Sequence, residues 1–192
     1  MSRAEGNART STLTLHMVAS LDGIVARKDN SVSWMDSAGE VYEKGVSEGN
    51  ADDAVTSIDC FVLGSRTYEH ALQLGWPYGD TPTVVLTKRE LPFTRKSVEF
   101  YSGDLRKLVD EILARRYRNI WLVGGAMLCQ SFLRLDLVDE ISLVIMPVLL
   151  GDGLRLFDNS GLEKRWRLKN LVAYKTGMVE MLYRRQSTSS RP

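Results

Sequence analysis

The chain has 192 residues, 44% hydrophobic and 26% charged, and 25 Lys plus Arg against 24 Asp plus Glu leave a formal net charge of +1. That is enough chain for one domain with a sizeable core. So even a charge balance makes no overall field to draw in nucleic acid or a membrane surface, so neither is expected as a partner.

The start, Met1–Ser11, is polar and lacks the apolar core of a secretory signal. The longest apolar run, Val144–Leu150, is too short to span a bilayer and holds Pro147. A cytoplasmic protein is the expectation, with one domain over residues 12–186 and tails at 1–11 and 187–192. Thr12–Ala19 alternates as a strand does. Ser20-Leu21-Asp22-Gly23 reads as a turn, because Asp-Gly favours positive φ, and Ile24–Ala26 as a short strand. Ala38–Glu48 has a loose helical pattern, and a second short helix is expected over Ala51–Thr56. Cys60–Leu63 is a continuous apolar run, the mark of a strand buried on both faces. A helix is expected over Ser65–Leu74, then strands at Thr83–Leu86 and Val98–Tyr101. Asp104 is a plausible N-cap for a helix with Leu105, Leu108, Ile112 and Leu113 as its apolar stripe. Strand Ile120–Val123, helix Gly125–Leu135 and strand Glu140–Ile145 follow. Leu168–Tyr174 and Met178–Arg184 flank Lys175-Thr176-Gly177 as a hairpin. Cys60 and Cys129 lie in apolar runs without Cys-x-x-Cys spacing, so buried free thiols and no metal are expected.

Strands alternating with helices and closing in a hairpin predict a three-layer α/β/α domain. Its sheet is mixed, mainly parallel, with antiparallel strands at the C-terminal end. Ligands of such sheets collect where strands run out into helices. Three strand ends qualify. Gly64-Ser65-Arg66-Thr67 sets a glycine, two hydroxyls and a cation at a helix start, which suits a phosphate; Ser65 as a plain N-cap suits the same residues. Leu86-Thr87-Lys88-Arg89 offers cations for a ribose 2′-phosphate, or is a solvated basic turn. Val123-Gly124-Gly125-Ala126 lets a pyrophosphate approach the backbone, or is a tight turn; it is not the Gly-x-Gly-x-x-Gly fingerprint.

The order of these motifs resembles the dihydrofolate reductase-like fold, and within it the reductase domain of riboflavin biosynthesis. The matching residues are Ala19-Ser20-Leu21-Asp22-Gly23, Gly64-Ser65-Arg66-Thr67-Tyr68-Glu69, Val84-Val85-Leu86-Thr87, Val123-Gly124-Gly125-Ala126, Leu137-Val138-Asp139-Glu140 and Pro147-Val148-Leu149-Leu150-Gly151-Asp152-Gly153. The resemblance implies NADPH and hydride transfer to a small heterocycle, such as a phosphoribosylaminouracil or a pterin-like compound. The alternative is an NADP(H)-binding protein that keeps the fold without turnover. It implies that Gly64, Ser65, Arg66 and Thr67 face the pyrophosphate and adenosine. Leu86, Thr87 and Lys88 would hold the 2′-phosphorylated ribose. Val123, Gly124, Gly125, Ala126 and Met127 would cover the pyrophosphate and nicotinamide ribose, with a commonly cis Gly-Gly peptide. Val18, Ala19 and Ile24 would flank the nicotinamide. Relatives are often homodimers. Candidate catalytic residues are Asp22 and Ser20 in the first turn and Glu40 beyond Trp34, with Asp36 as its alternative. The carboxylate position of the folate reductases aligns best with Gly39, and the lysine frequent in the riboflavin branch is Ile24 here.

Overall fold

The computed structural model describes residues 11–36, 41–46, 57–157, 161 and 163–186. In chain order the elements are β1 (Thr12–Ser20), β2 (Ile24–Ala26), a 3-10 turn (Ser33–Met35), β3 (Cys60–Gly64), α1 (Ser65–Gln73), β4 (Thr83–Leu86) and β5 (Val98–Tyr101). Then come α2 (residues 105–116), β6 (Asn119–Gly124), α3 (Ala126–Arg134), β7 (Glu140–Met146), β8 (Leu154–Arg155), β9 (Trp166–Ala173) and β10 (Val179–Arg185). The eight-stranded sheet has the order β5-β4-β3-β6-β1-β7-β10-β9, and β2 with β8 forms a separate two-stranded sheet. Pairing is parallel from β5 through β7 and antiparallel for β7–β10 and β10–β9.

Alternation along the strands builds two cores, one on each face of the sheet. Val62 packs with Leu13, Leu15, Ile120 and Leu122, under side chains from α2 (Leu108, Val109, Leu113) and α3 (Cys129, Phe132). Its neighbour Leu63 points the other way, to Val85 and to Tyr68 and Ala71 of α1. The helices therefore lie on opposite faces, α1 on one and α2 and α3 on the other. Burying each of these large side chains contributes about 1.5–3 kcal/mol. Asp104 caps α2 by accepting from Lys107 N at 2.9 Å, and the middle of that helix, Leu108–Leu113, is π-wound. Cys60 and Cys129 are buried free thiols, both pushed up to about 12 by burial and so unreactive at neutral pH.

Two expectations need correction. Residues 41–46, inside the span Ala38–Glu48, are not helical. Val41 N and Tyr42 N both donate to Lys175 O, at 2.8 and 2.9 Å, and Val46 N donates to Ala173 O at 2.9 Å. A Cβ on Gly45 would lie 2.4 Å from Lys175 N, so a bare glycine lets this segment press against the hairpin turn. Backbone pairing with the hairpin outweighs a weak helical pattern. Ser65 is not an N-cap: Gly64, with extended φ −85° and ψ 163°, occupies that position, and no side chain caps the helix. The expected helix Ala51–Thr56 lies outside the described residues, as does Glu40. No helix among the described residues is long and apolar enough to cross a membrane.

Candidate active site

The three glycine- and cation-bearing strand ends come together because β4, β3 and β6 are neighbours. Register places Gly64 opposite Leu86 and Leu63 opposite Gly124. The edge is nearly bare backbone: a Cβ on Gly64 would meet Gly124 O at 3.5 Å and Gly125 N at 3.6 Å, and one on Gly125 would meet Thr67 Oγ1 at 3.7 Å. The Gly124–Gly125 peptide is cis, and Gly124 has φ +111°. A Cβ there would sit 3.1 Å from Met17 Sδ. From this edge start α1 and α3, nine residues each, and neither has a side-chain cap. Two sets of first-turn N–H groups and two positive dipole ends thus flank one glycine edge, an arrangement that favours an anion. Ser65 and Thr67 are half-buried with hydroxyls available, and Arg66 and Met127 are exposed. Ala126 and Val123 instead pack inward, so they contribute backbone rather than side chain.

Beside this edge, past the ends of β4 and β5, lies an open groove of about 720 Å³ lined by Thr87, Lys88, Arg89, Leu91, Phe100 and Tyr101 among others. The Thr87 hydroxyl accepts from Arg89 N at 2.9 Å and shapes the turn. Arg89 is tied to Glu69 at 2.8 Å. Lys88 is exposed and makes no ion pair among the described residues, so it is the cation left for a ligand. Phe100 and Tyr101 were missed from sequence. The signal was an aromatic pair ending β5 next to the cationic end of β4, where Leu86 pairs with Tyr101.

At the other end of the site, Ser20 is fully buried and donates to Asp22 Oδ1 at 2.5 Å while accepting from Ile24 N at 3.0 Å. Asp22 also accepts from Leu150 N at 3.2 Å and Gly151 N at 2.7 Å. The Ser20 hydroxyl and these amides hold its carboxyl down to about 2. Asp22 is therefore an anion at neutral pH that latches the loop after β7 to the first turn; it holds no proton to give. Gly153, at φ +146°, completes the latch, since a Cβ there would lie 2.3 Å from Ala26 O. Val18 is half-buried, while Ala19 and Ile24 are buried. Asp36 is exposed at the end of the 3-10 turn. Nearby Trp34 is buried, with Nε1 lacking a hydrogen-bond partner among the described residues. Among the described residues no group of His, Cys, Asp and Glu is placed to hold a metal ion.

A family model described as the RibD C-terminal domain matches residues 11–180. The chain belongs to the RibD C-terminal domain family. Two Bacillus subtilis (strain 168) relatives are similar along most of their length. Uncharacterized protein YwjB is 32% identical over 157 residues, covering 81% of this chain and 87% of that one. Uncharacterized protein YyaP is 27% identical over 191 residues, covering 92% and 96%. Among solved structures, a Shewanella sp. PV-4 protein attributed to riboflavin biosynthesis superposes with TM-score 0.75 at 23% identity, covering 92% of this chain and 99% of its own. Dihydrofolate reductase from Enterococcus faecalis, complexed with NADP(H), gives TM-score 0.62 at 13% identity, covering 93% and 98%. At those identities the structures speak to fold: the RibD-family sheet is dihydrofolate reductase-like. In this RibD-family chain the first turn, the α1 start and the Gly-Gly turn stand along one edge of that sheet.

Proposed function

We propose that the chain is an NADPH-dependent reductase of a small heterocycle of the aminopyrimidine or pterin type. The observation that carries this reading is the pair of uncapped helix N-termini flanking Gly64, Gly124 and Gly125. A dinucleotide pyrophosphate has the charge and slimness such an edge accepts. The residues fit the rest of the cofactor. Lys88 would take the 2′-phosphate, and Phe100 and Tyr101 line the groove beside it for the adenosine. Thr67 and Ser65 would donate hydroxyls to the pyrophosphate. Val18, Ala19 and Ile24 would make the apolar wall beside the nicotinamide. When bound, the nicotinamide supplies the hydride, which goes to the carbon of a C=N or C=O group while a proton goes to its nitrogen or oxygen. The chain's part is to bind and orient: the glycine edge admits the phosphates, and the Asp22 latch holds the first turn against the loop after β7.

Binding is the first test. Purified protein should shift NADPH fluorescence at micromolar to millimolar cofactor, and absence of any change would sink the reading. A second reading, NADP(H) binding without turnover, is favoured by the commitment of Asp22 and Ser20 to the latch. Steady NADPH oxidation with any dihydropterin or aminopyrimidine would exclude it. We also propose a cytoplasmic homodimer, its interface on edge strand β9, where Leu168 and Leu171 are exposed.

A further inference from the structure

We infer that His16 reads the substrate on the sheet face, accepting at Nε2 a hydrogen bond from an N–H or amino group of the heterocycle. The inference rests on the reductase reading above and adds the chemistry of recognition.

His16 and Val18 share one face of β1, and their register partners on β7 are Ser142 and Val144. Val18 is the residue assigned to the nicotinamide side, so His16 is the next position inward, about 7 Å along the strand. The His16 ring stacks on Trp121 of β6, with centroids 4.3 Å apart and planes at 25°. Nδ1 lies 3.0 Å from Ser142 Oγ. Ser142 Oγ in turn donates to Glu180 Oε1 of β10 at 3.2 Å, and Tyr174 OH donates to Glu180 Oε2 at 2.9 Å. A hydroxyl has one proton. Ser142 gives it to the carboxylate, so it must accept from His16, which places the imidazole proton on Nδ1. Nε2 is left with a lone pair.

Nε2 has no partner among the described residues, and the buried side-chain atoms without partners there are Trp34 Nε1 and Thr176 Oγ1. His16 is only half-buried, so part of its ring stays open to a ligand. Burial of the ring lowers its pKa, with the Glu180 charge opposing, so the ring is neutral at pH 7. Trp121 of β6 and Ser142 of β7 touch the ring; Glu180 of β10 lies behind Ser142, and Tyr174, just after β9, bonds Glu180. Farther along β7, Glu140 is ion-paired with Lys169 and Arg184, at 2.9 and 2.7 Å. A chain of four groups thus fixes one tautomer and aims one acceptor outward. It suits the donor edge of an aminopyrimidine or aminopterin; a carbonyl edge would set lone pair against lone pair.

The sequence has two histidines, so imidazole resonances are easily assigned. The whole chain, labelled with 15N-histidine and saturated with NADP+, is titrated with 5,6-diaminouracil as probe. The expected result is an Nδ1-protonated His16 whose Nε2 resonance moves on binding while that of His70 does not. Probe affinity should fall as His16 protonates, with the same midpoint as its imidazole titration. His16→Phe, its fold checked by the amide spectrum, should bind the probe at least about tenfold more weakly. His16→Gln, which offers a carbonyl oxygen, should recover most of the loss and be flat with pH. An Nε2-protonated ring, an unmoved Nε2 resonance, wild-type affinity in His16→Phe, or no probe binding at millimolar concentration would each overturn the inference. Failure of the wild-type chain to bind NADP+ or NADPH would instead overturn the reductase reading.

Discussion

The Ser20 hydroxyl donates to Asp22 Oδ1 at 2.5 Å, and that carboxylate in turn accepts the Leu150 and Gly151 amides from a loop 128 and 129 residues away in sequence. The pair ties the first turn to the loop after β7. Its carboxyl is depressed from 3.8 to about 2. A depressed acid contributes stability that is fully present above its unfolded value and is lost as pH falls through the folded one. Asp22→Asn keeps the shape but turns an amide NH2 toward a hydrogen-bond donor. Its melting temperature should lie below wild type at pH 7, with the gap closing between about pH 4 and pH 2. A gap unchanged at pH 2 would show that the charge is not the active element.

Gly124 and Gly125 should respond differently to alanine. Gly124 has φ +111° and a Cβ there would crowd Met17 Sδ at 3.1 Å. Gly124→Ala should cost about 1–3 kcal/mol in chemical denaturation as well as cofactor affinity. Gly125 has φ −72°, and its Cβ would meet Thr67 Oγ1 at an ordinary 3.7 Å. Gly125→Ala should fold with near-normal stability yet bind NADPH more weakly, because the methyl fills space left for phosphate. Equal stability losses in the two variants would contradict this division.

Lys88 and Arg89 stand side by side, but Arg89 is engaged by Glu69 at 2.8 Å. Lys88→Ala should weaken NADPH by about tenfold or more while leaving NADH affinity nearly unchanged. Arg89→Ala should have the smaller effect. Fluorescence titration with both cofactors decides the matter; parallel losses for NADPH and NADH would refute a 2′-phosphate role.

Asp104 caps α2 through Lys107 N at 2.9 Å. Asp104→Ala should lower stability by about 1 kcal/mol without touching NADPH affinity, since the capping carboxylate serves Lys107 N while Tyr101 of the groove bonds the Asp104 backbone oxygen, which alanine keeps. A loss above about 3 kcal/mol would mean that the residue does more than cap.

Most strands were legible because burial on both faces writes a continuous apolar run, as at Cys60–Leu63, and because Lys175-Thr176-Gly177 marks a hairpin. Their ends moved by a residue or two. The segment around Gly45 was misread as helix, because its structure is set by Lys175 and Ala173, residues far along the chain. Of the candidate site, Gly64, Lys88 and the Gly-Gly turn were legible because glycines and cations at strand ends are local signals. Phe100, Tyr101 and His16 were not, because their neighbours come from other strands.

By itself the sequence determined the alternation of strands and helices, and hence a layered α/β domain. It also determined the presence of glycine-rich strand ends and the order of motifs that carries the family resemblance. Local patterns suffice for these, since burial and backbone freedom act residue by residue. Only the tertiary structure decided that β4, β3 and β6 are neighbours, so that three weak signals become one edge between two uncapped helices. It alone showed that Asp22 latches the first turn to the loop after β7 and that His16, Ser142 and Glu180 form one hydrogen-bonded row. Those facts depend on strand register, and register is settled by how whole strands pack.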